Sequence, residues 1–171
     1  MDKEFPISFD ALRNKVFRFA CRMLHNDEDA RDITQDMSEK IWNMHKEARL
    51  SGKIEALAMT MTKNLCLDKL KHEKQKQYKL QVLRDSQETA FQPADYDRKN
   101  THQVIRELID KLPEKQRMVI HLRDVESFSF EEIAEIMAMD VSAVRMNVSR
   151  ARKTVKENLI KTMNYGLQQS R

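Results

Sequence analysis

Apolar residues recur at Phe9, Leu12, Val16, Phe19 and Met23 in steps of three and four, the period of one face of an α-helix. Asn26-Asp27 interrupts that pattern and can cap the next helix. This second helix reads Ala30, Ile33, Met37, Ile41 and Met44, with carboxylates in its first turns, where the helix dipole favours them. Ser51-Gly52 marks a break, and a third helix is predicted from about Ile54 to near Lys79. Residues 81–100 lose all periodicity, carry Pro93 and read as a linker. Beyond it, Ile105, Leu108, Ile109 and Leu112 mark a helix stopped by Pro113, which suits the first turn of a helix bearing Met118, Val119 and Leu122. Ser129-Phe-Glu-Glu132 is a capping box opening a helix through Met137, and a last helix is predicted from near Ser142 to about Asn158. The pattern predicts an all-α protein: one small helical domain over 1–80, a flexible linker over 81–100, and a second over 101–171.

The final two helices divide by periodicity into faces with separate work. Ile133, Ala134 and Met137, a short turn at Ala138-Met139-Asp140-Val141, then Val144 and Val148 fit a helix-turn-helix. In the last helix Val144, Val148, Ala151 and Val155 form an apolar stripe, and Arg145, Ser149, Arg152 and Lys156 a polar and basic stripe with the same steps. Such a helix can rest on a core with one side and face a DNA major groove with the other. Arginine reads guanine edges bidentately, and lysine chiefly neutralises phosphate. Taken alone, the basic stripe also fits a solvated surface face.

Composition narrows the chemistry. With 2 Gly and 3 Pro in 171 residues, the chain lacks the turn residues of a sandwich or barrel. Gly52 and Gly166 lie too far apart for a phosphate-cradling loop or dinucleotide fingerprint. Cys21 and Cys66 are isolated and read as reduced residues packed in helices. His25, His45, His72, His102 and His121 include no pair at metal-binding spacing, so neither a metal nor another cofactor is expected. Apolar runs are far too short for a membrane span, and the N-terminus has no apolar signal region, so a cytoplasmic protein is expected.

The net charge of +4 matters less than its placement. Asp27, Glu28, Asp29, Asp32 and Asp36 surround a single base, Arg31. Six lysines fall between Lys63 and Lys79 against Asp68 and Glu73. Five bases between Arg145 and Lys156 meet no acid. One acidic and two basic patches point to separate partners for separate faces.

Three stretches in order resemble the two-domain extracytoplasmic-function (ECF) group of bacterial sigma factors, over roughly Phe9 to Leu159. They are Asn26-Asp-Glu-Asp-Ala-Arg-Asp-Ile-Thr-Gln-Asp36 followed by Trp42; Lys63-Asn-Leu-Cys-Leu-Asp-Lys-Leu70; and Leu112-Pro-Glu-Lys-Gln-Arg-Met-Val-Ile-His-Leu122 followed by the helix-turn-helix with Val144-Arg145 and Ser149-Arg150-Ala-Arg152. The resemblance implies a promoter-specificity subunit of RNA polymerase with no catalytic residues of its own. Its partners would be the β and β′ subunits of core RNA polymerase, promoter DNA and, as is common in the family, an anti-sigma factor.

By the same resemblance, Asp29, Asp32, Gln35 and Asp36 match the surface that grips the polymerase β′ clamp helices. Carboxylates facing arginines there would add specificity and association rate; the same acids also suit their own helix dipole. The segment from His45 to Ile54 matches the loop that helps capture an unstacked −10 base, with Asn64 lining the pocket. An amide can both donate to and accept from an exposed Watson–Crick edge. Lys63, Lys69, Lys71 and Lys74 would hold neighbouring phosphates. Arg145, Met146, Ser149 and Arg150 match positions facing −35 bases, and Arg152 and Lys153 match phosphate contacts.

The chain departs from the family pattern in three places. Ala138 or Met139 stands where the turn usually has Gly, which costs about 1 kcal/mol if that residue takes positive φ. Leu57 replaces a frequent Trp before the Asn-bearing helix, so no aromatic stacking is carried over. Met146 can touch a thymine methyl but cannot read a hydrogen-bond code. Two other readings compete. An ordinary helix-turn-helix regulator leaves the acidic run and Asn64 without a role. A magnesium enzyme using Asp29, Asp32 and Asp36 lacks a matching acidic set on a second helix.

Overall fold

A computed structural model describes residues 8–46, 54–82 and 101–169, and the predicted linker, apart from 81 and 82, lies outside them. Among the described residues there is no strand, and seven α-helices occur in order: α1 (Phe9–Leu24), α2 (Asp27–Lys46), α3 (Ile54–Val82), α4 (Thr101–Asp110), α5 (Glu114–Ile120), α6 (Phe130–Met137) and α7 (Val141–Gln169), with a π-helical segment at His121–Val125 directly after α5.

Local chemistry sets most of the boundaries. The Ser8 hydroxyl accepts from the Ala11 amide to cap α1, whose C-cap His25 turns the chain at φ 54°. The Asn26 side chain accepts from the amides of Glu28 and Asp29 at 2.9 and 3.2 Å, which is the expected cap of α2. Ser129 and Glu132 form the predicted reciprocal capping box of α6. The π-helical segment has no counterpart in the sequence pattern: the Glu126 amide reaches back five residues to the His121 carbonyl at 3.1 Å. α3 runs to Val82, so residues 81 and 82 continue a helix rather than open the linker. α7 begins one residue before Ser142 and continues well past Asn158.

The stripes that mark α1 and α2 are their buried faces. Leu12, Val16, Phe19 and Met23 of α1 meet Ala30, Ile33, Met37 and Ile41 of α2, all buried, and α3 packs on both helices. α3 differs in kind. Its buried residues Ile54, Ala56, Ala58, Met59, Thr62, Lys63 and Cys66 spread over about half its circumference, since each residue turns the helix by about 100°. The reason is a further neighbour: α6 packs against α3. Buried residues of the N-terminal helices and Met118, Val119, Leu122, Phe128, Ile133, Ile136, Val144 and Val148 form one continuous cluster. The two predicted halves are present and share a single core. In α7, Val144, Val148 and Ala151 are buried, as the apolar stripe requires.

Candidate functional site

On α2 the apolar face is consumed by packing, and Asp32, Gln35 and Asp36 are exposed on the other side. Positions 32, 35, 36 and 39 lie three and four apart and so share one face; within it the Gln35 amide donates to Glu39 at 2.8 Å. Asp32 and Gln35 also line a cleft shared with Asp10 and Arg13 of α1. Asp29, three residues before Asp32, continues this face but is only partly exposed. Its carboxylate is held by the Lys69 ammonium of α3, and that bond is the main cause raising the Lys69 pKa above its ordinary value. Trp42, a turn or two beyond, is 46% exposed, with Phe9 against its edge and the Lys46 ammonium over its ring.

The α3 candidates separate. Asn64 and Lys71, seven residues apart, lie on one exposed face, and Lys74 is exposed one turn on. Lys69 turns to α2 and Asp29. Lys63 is only 9% exposed, and its ammonium donates to the Ile136 carbonyl at the end of α6, at 2.8 Å. Desolvation lowers its pKa. Sequence spacing therefore groups four lysines that the structure divides between solvent, an α2 ion pair and the α3–α6 contact. The loop candidate beyond Lys46 falls at 47–53, outside the described residues.

The polar face of α7 is open. Arg145, Met146, Ser149, Arg150, Arg152 and Lys153 are all exposed, Met146 at 47%. The Arg145 guanidinium lies over the Phe130 ring at 5.3 Å and within 3.7 Å of Glu131, which preorients it beside the turn. Arg123 stacks on the same ring at 4.4 Å and donates to the Phe128 carbonyl at 2.7 Å. Sequence reading misses Arg123, since only the stack on Phe130 brings it near the helix-turn-helix. Arg152 donates to Asp124 at 3.0 Å, and this bond chiefly raises its pKa. Lys153 meets Glu157 across 3.9 Å in an exposed pair. The turn itself departs from glycine chemistry: Ala138 takes φ 51° and ψ 53°, so the residue does not keep negative φ.

Among the described residues no group of histidines, cysteines and carboxylates could hold a metal, and no helix is long and apolar enough to cross a membrane. Both cysteines lie in helices, with burial the first cause pushing their thiols up, to about 11 for Cys21 and about 12 for Cys66.

Comparison with known proteins agrees with this geometry. Residues 9–76 match the model of sigma-70 region 2, and residues 102–155 match that of sigma-70 region 4. The chain is 26% identical over 162 residues to the ECF RNA polymerase sigma factor SigE of Mycolicibacterium smegmatis, matching 86% of this chain and 58% of that longer relative. It is 26% identical over 152 residues to the RNA polymerase sigma factor YlaC of Bacillus subtilis, over 86% of this chain and 87% of the relative. The fold is shared with the sigma factor RpoE of Bartonella quintana, solved in complex with the anti-sigma factor NepR: TM-score 0.69, 22% identity, covering 90% of this chain and 94% of that one. With an exposed basic helix-turn-helix behind an acidic-faced helical block, and both family regions matched in order, the chain belongs to the sigma-70 family of RNA polymerase sigma factors, in the two-domain ECF form.

Proposed function

We propose that the protein works in the cytoplasm as a subunit that brings core RNA polymerase to particular promoters and helps open them, with no catalytic chemistry of its own. The observation that carries this division of labour is α2. Its apolar residues are engaged in packing, and Asp32, Gln35 and Asp36 remain on one exposed face. That face is the candidate grip on a basic surface of the polymerase, with Asp29 set behind it as the brace that fixes Lys69. Asn64 and Lys71 supply the −10 contact, the amide meeting an unstacked base and the lysine a phosphate. Arg145, Ser149 and Arg150 supply the −35 contact from α7, with Arg152 and Lys153 on the phosphates.

Charge reversal tests the polymerase surface. Asp32→Arg with Asp36→Arg is expected to leave helical circular dichroism unchanged and to abolish co-purification of β and β′ subunits, because attraction becomes repulsion at a complementary interface. Unchanged capture would reduce the acids to partners of their own helix dipole. Asn64→Ala is expected to retain core binding and weaken promoter melting by reconstituted polymerase, read by permanganate reactivity of unpaired thymines. A chain that binds its duplex tightly alone, with no melting added by core polymerase, would instead be an ordinary helix-turn-helix regulator.

A further inference from the structure

A cleft of about 870 Å³ opens where α1, α4, α7 and the π-helical segment come together. That volume falls among small-molecule sites, which run from about 300 to 1,000 Å³. Its floor is apolar for a local reason. Ile105 and Ile109 stand one turn apart on α4, and Val155 and Leu159 one turn apart on α7, so each helix turns one apolar face to the space. All four are only half-buried. Ile109 and Val155 continue into the small cluster of Leu112, Ile120 and Ala151, which closes the floor. Val125, the last residue of the π-helical segment, also lines the cleft and is 50% exposed, so the protein's own packing leaves this apolar wall uncovered.

The rim is cationic. Arg18, Arg22, Arg106, Arg152 and Lys156 border the cleft against Asp110 and Asp124. Three of these cations are already engaged. Arg18 holds the Glu126 carboxylate with bonds of 2.8 and 2.6 Å, Arg22 meets Asp110 at 2.7 Å, and Arg152 meets Asp124 at 3.0 Å. Both acids of the rim are thereby neutralised. Arg106 and Lys156 are exposed, and among the described residues neither meets a carboxylate. An apolar floor beneath two uncompensated cations fits a ligand with a hydrocarbon tail and one anionic head. The guanidinium fork matches the two oxygens of a carboxylate, and the ammonium adds a point charge. A small polar anion would leave the floor wet, and a neutral hydrocarbon would leave the cations unanswered. We infer that this cleft binds a free fatty-acid anion, with its tail on Ile105, Ile109, Val155 and Leu159 and its head at Arg106 and Lys156. None of those six residues is assigned to polymerase or promoter contact, so the inference stands apart from that reading.

Dodecanoate, kept below its micelle concentration and titrated into the full chain by calorimetry, is the probe. Wild type is expected to bind it saturably at one site per chain. Acetate, which has the head alone, is expected not to bind, and dodecyltrimethylammonium, with the same tail and the opposite charge, to bind at least about tenfold more weakly. Arg106→Glu with Lys156→Glu is expected to weaken dodecanoate binding by about tenfold or more, whereas Arg106→Lys stays near wild type. Leu159→Trp, which fills the floor, is expected to weaken it without changing helical circular dichroism; the charge variants alter only exposed residues and serve where this one fails to fold. No saturable binding by wild type would overturn the inference, and so would equal affinity in the folded double reversal. Equal binding of the cationic amphiphile would overturn the carboxylate assignment. Binding to phosphatidylglycerol vesicles without binding to dodecanoate would give the cleft to a membrane surface and overturn the free ligand.

Discussion

Ala138 turns the chain from α6 into α7 in the left-handed region, where a β-carbon is unfavourable and glycine is not. The expected outcome of Ala138→Gly is a stability gain of about 1 kcal/mol, measured as a higher denaturant midpoint at constant slope. The thiols give a second residue-scale prediction. Burial is the first cause holding Cys21 and Cys66 protonated, with values of about 11 and about 12. Iodoacetamide at pH 8 is therefore expected to label the native protein far more slowly than the denatured chain, which mass spectrometry reads directly. The tight turn at Ala138 and the helical setting of the cysteines are legible in the sequence. The sign of φ at Ala138 is not, because alanine carries no preference for the left-handed well and only the surrounding helices hold it there.

At the scale of the element, legibility tracks the number of faces each helix buries. α1 and α2 bury one face, which leaves a three-four period in the sequence; the period marks most of that face, while Phe9 and Met44 at its ends are half-buried and Ala20, Leu24, Thr34 and Ser38 are buried beside it. α3 is covered by α1, α2 and α6, so its apolar positions spread around the helix and no single stripe announces the third neighbour. The π-helical segment likewise leaves no periodic trace, since it shifts register within a helix that reads as continuous. Ser129 and Glu132, by contrast, are readable because the capping box is a purely local device. Glu132→Ala is expected to cost about 1 kcal/mol by leaving the Ser129 amide without its carboxylate partner at 2.8 Å, seen as a lower melting temperature with little change in the circular dichroism of the folded state.

At the scale of the molecule, the pairs that join the halves lie far apart in sequence, Arg18 and Glu126 among them, and no local pattern connects such residues. This is why periodicity predicts the separate helical blocks and not their common core. Glu126 gives the joint a pH dependence. Burial alone would raise its carboxyl pKa, but contacts with His121 and Arg18 outweigh burial and hold it below the ordinary 4.5. A depressed carboxylate contributes stability above the ordinary value and loses it as pH falls through the folded value. The stability that Glu126 contributes to this joint is therefore expected to be fully present at neutral pH and to be lost in acid below about 4.5, with Glu126→Gln already less stable at pH 7 and flatter across that range. Scattering or calorimetry across a pH series checks both.

The seat of α6 on α3 also has a consequence in time. α3 is complete once Val82 has been made, but the helix that covers it ends only at Met137. At about 5–20 residues per second, a ribosome needs about 3–11 s to pass from one to the other. Throughout that interval the wall that α6 will occupy stands open, and Lys63 has no carbonyl to hold. Each newly made chain thus presents this wall of α3 before the helix that covers it exists, and the order of synthesis gives any outside partner the earlier encounter.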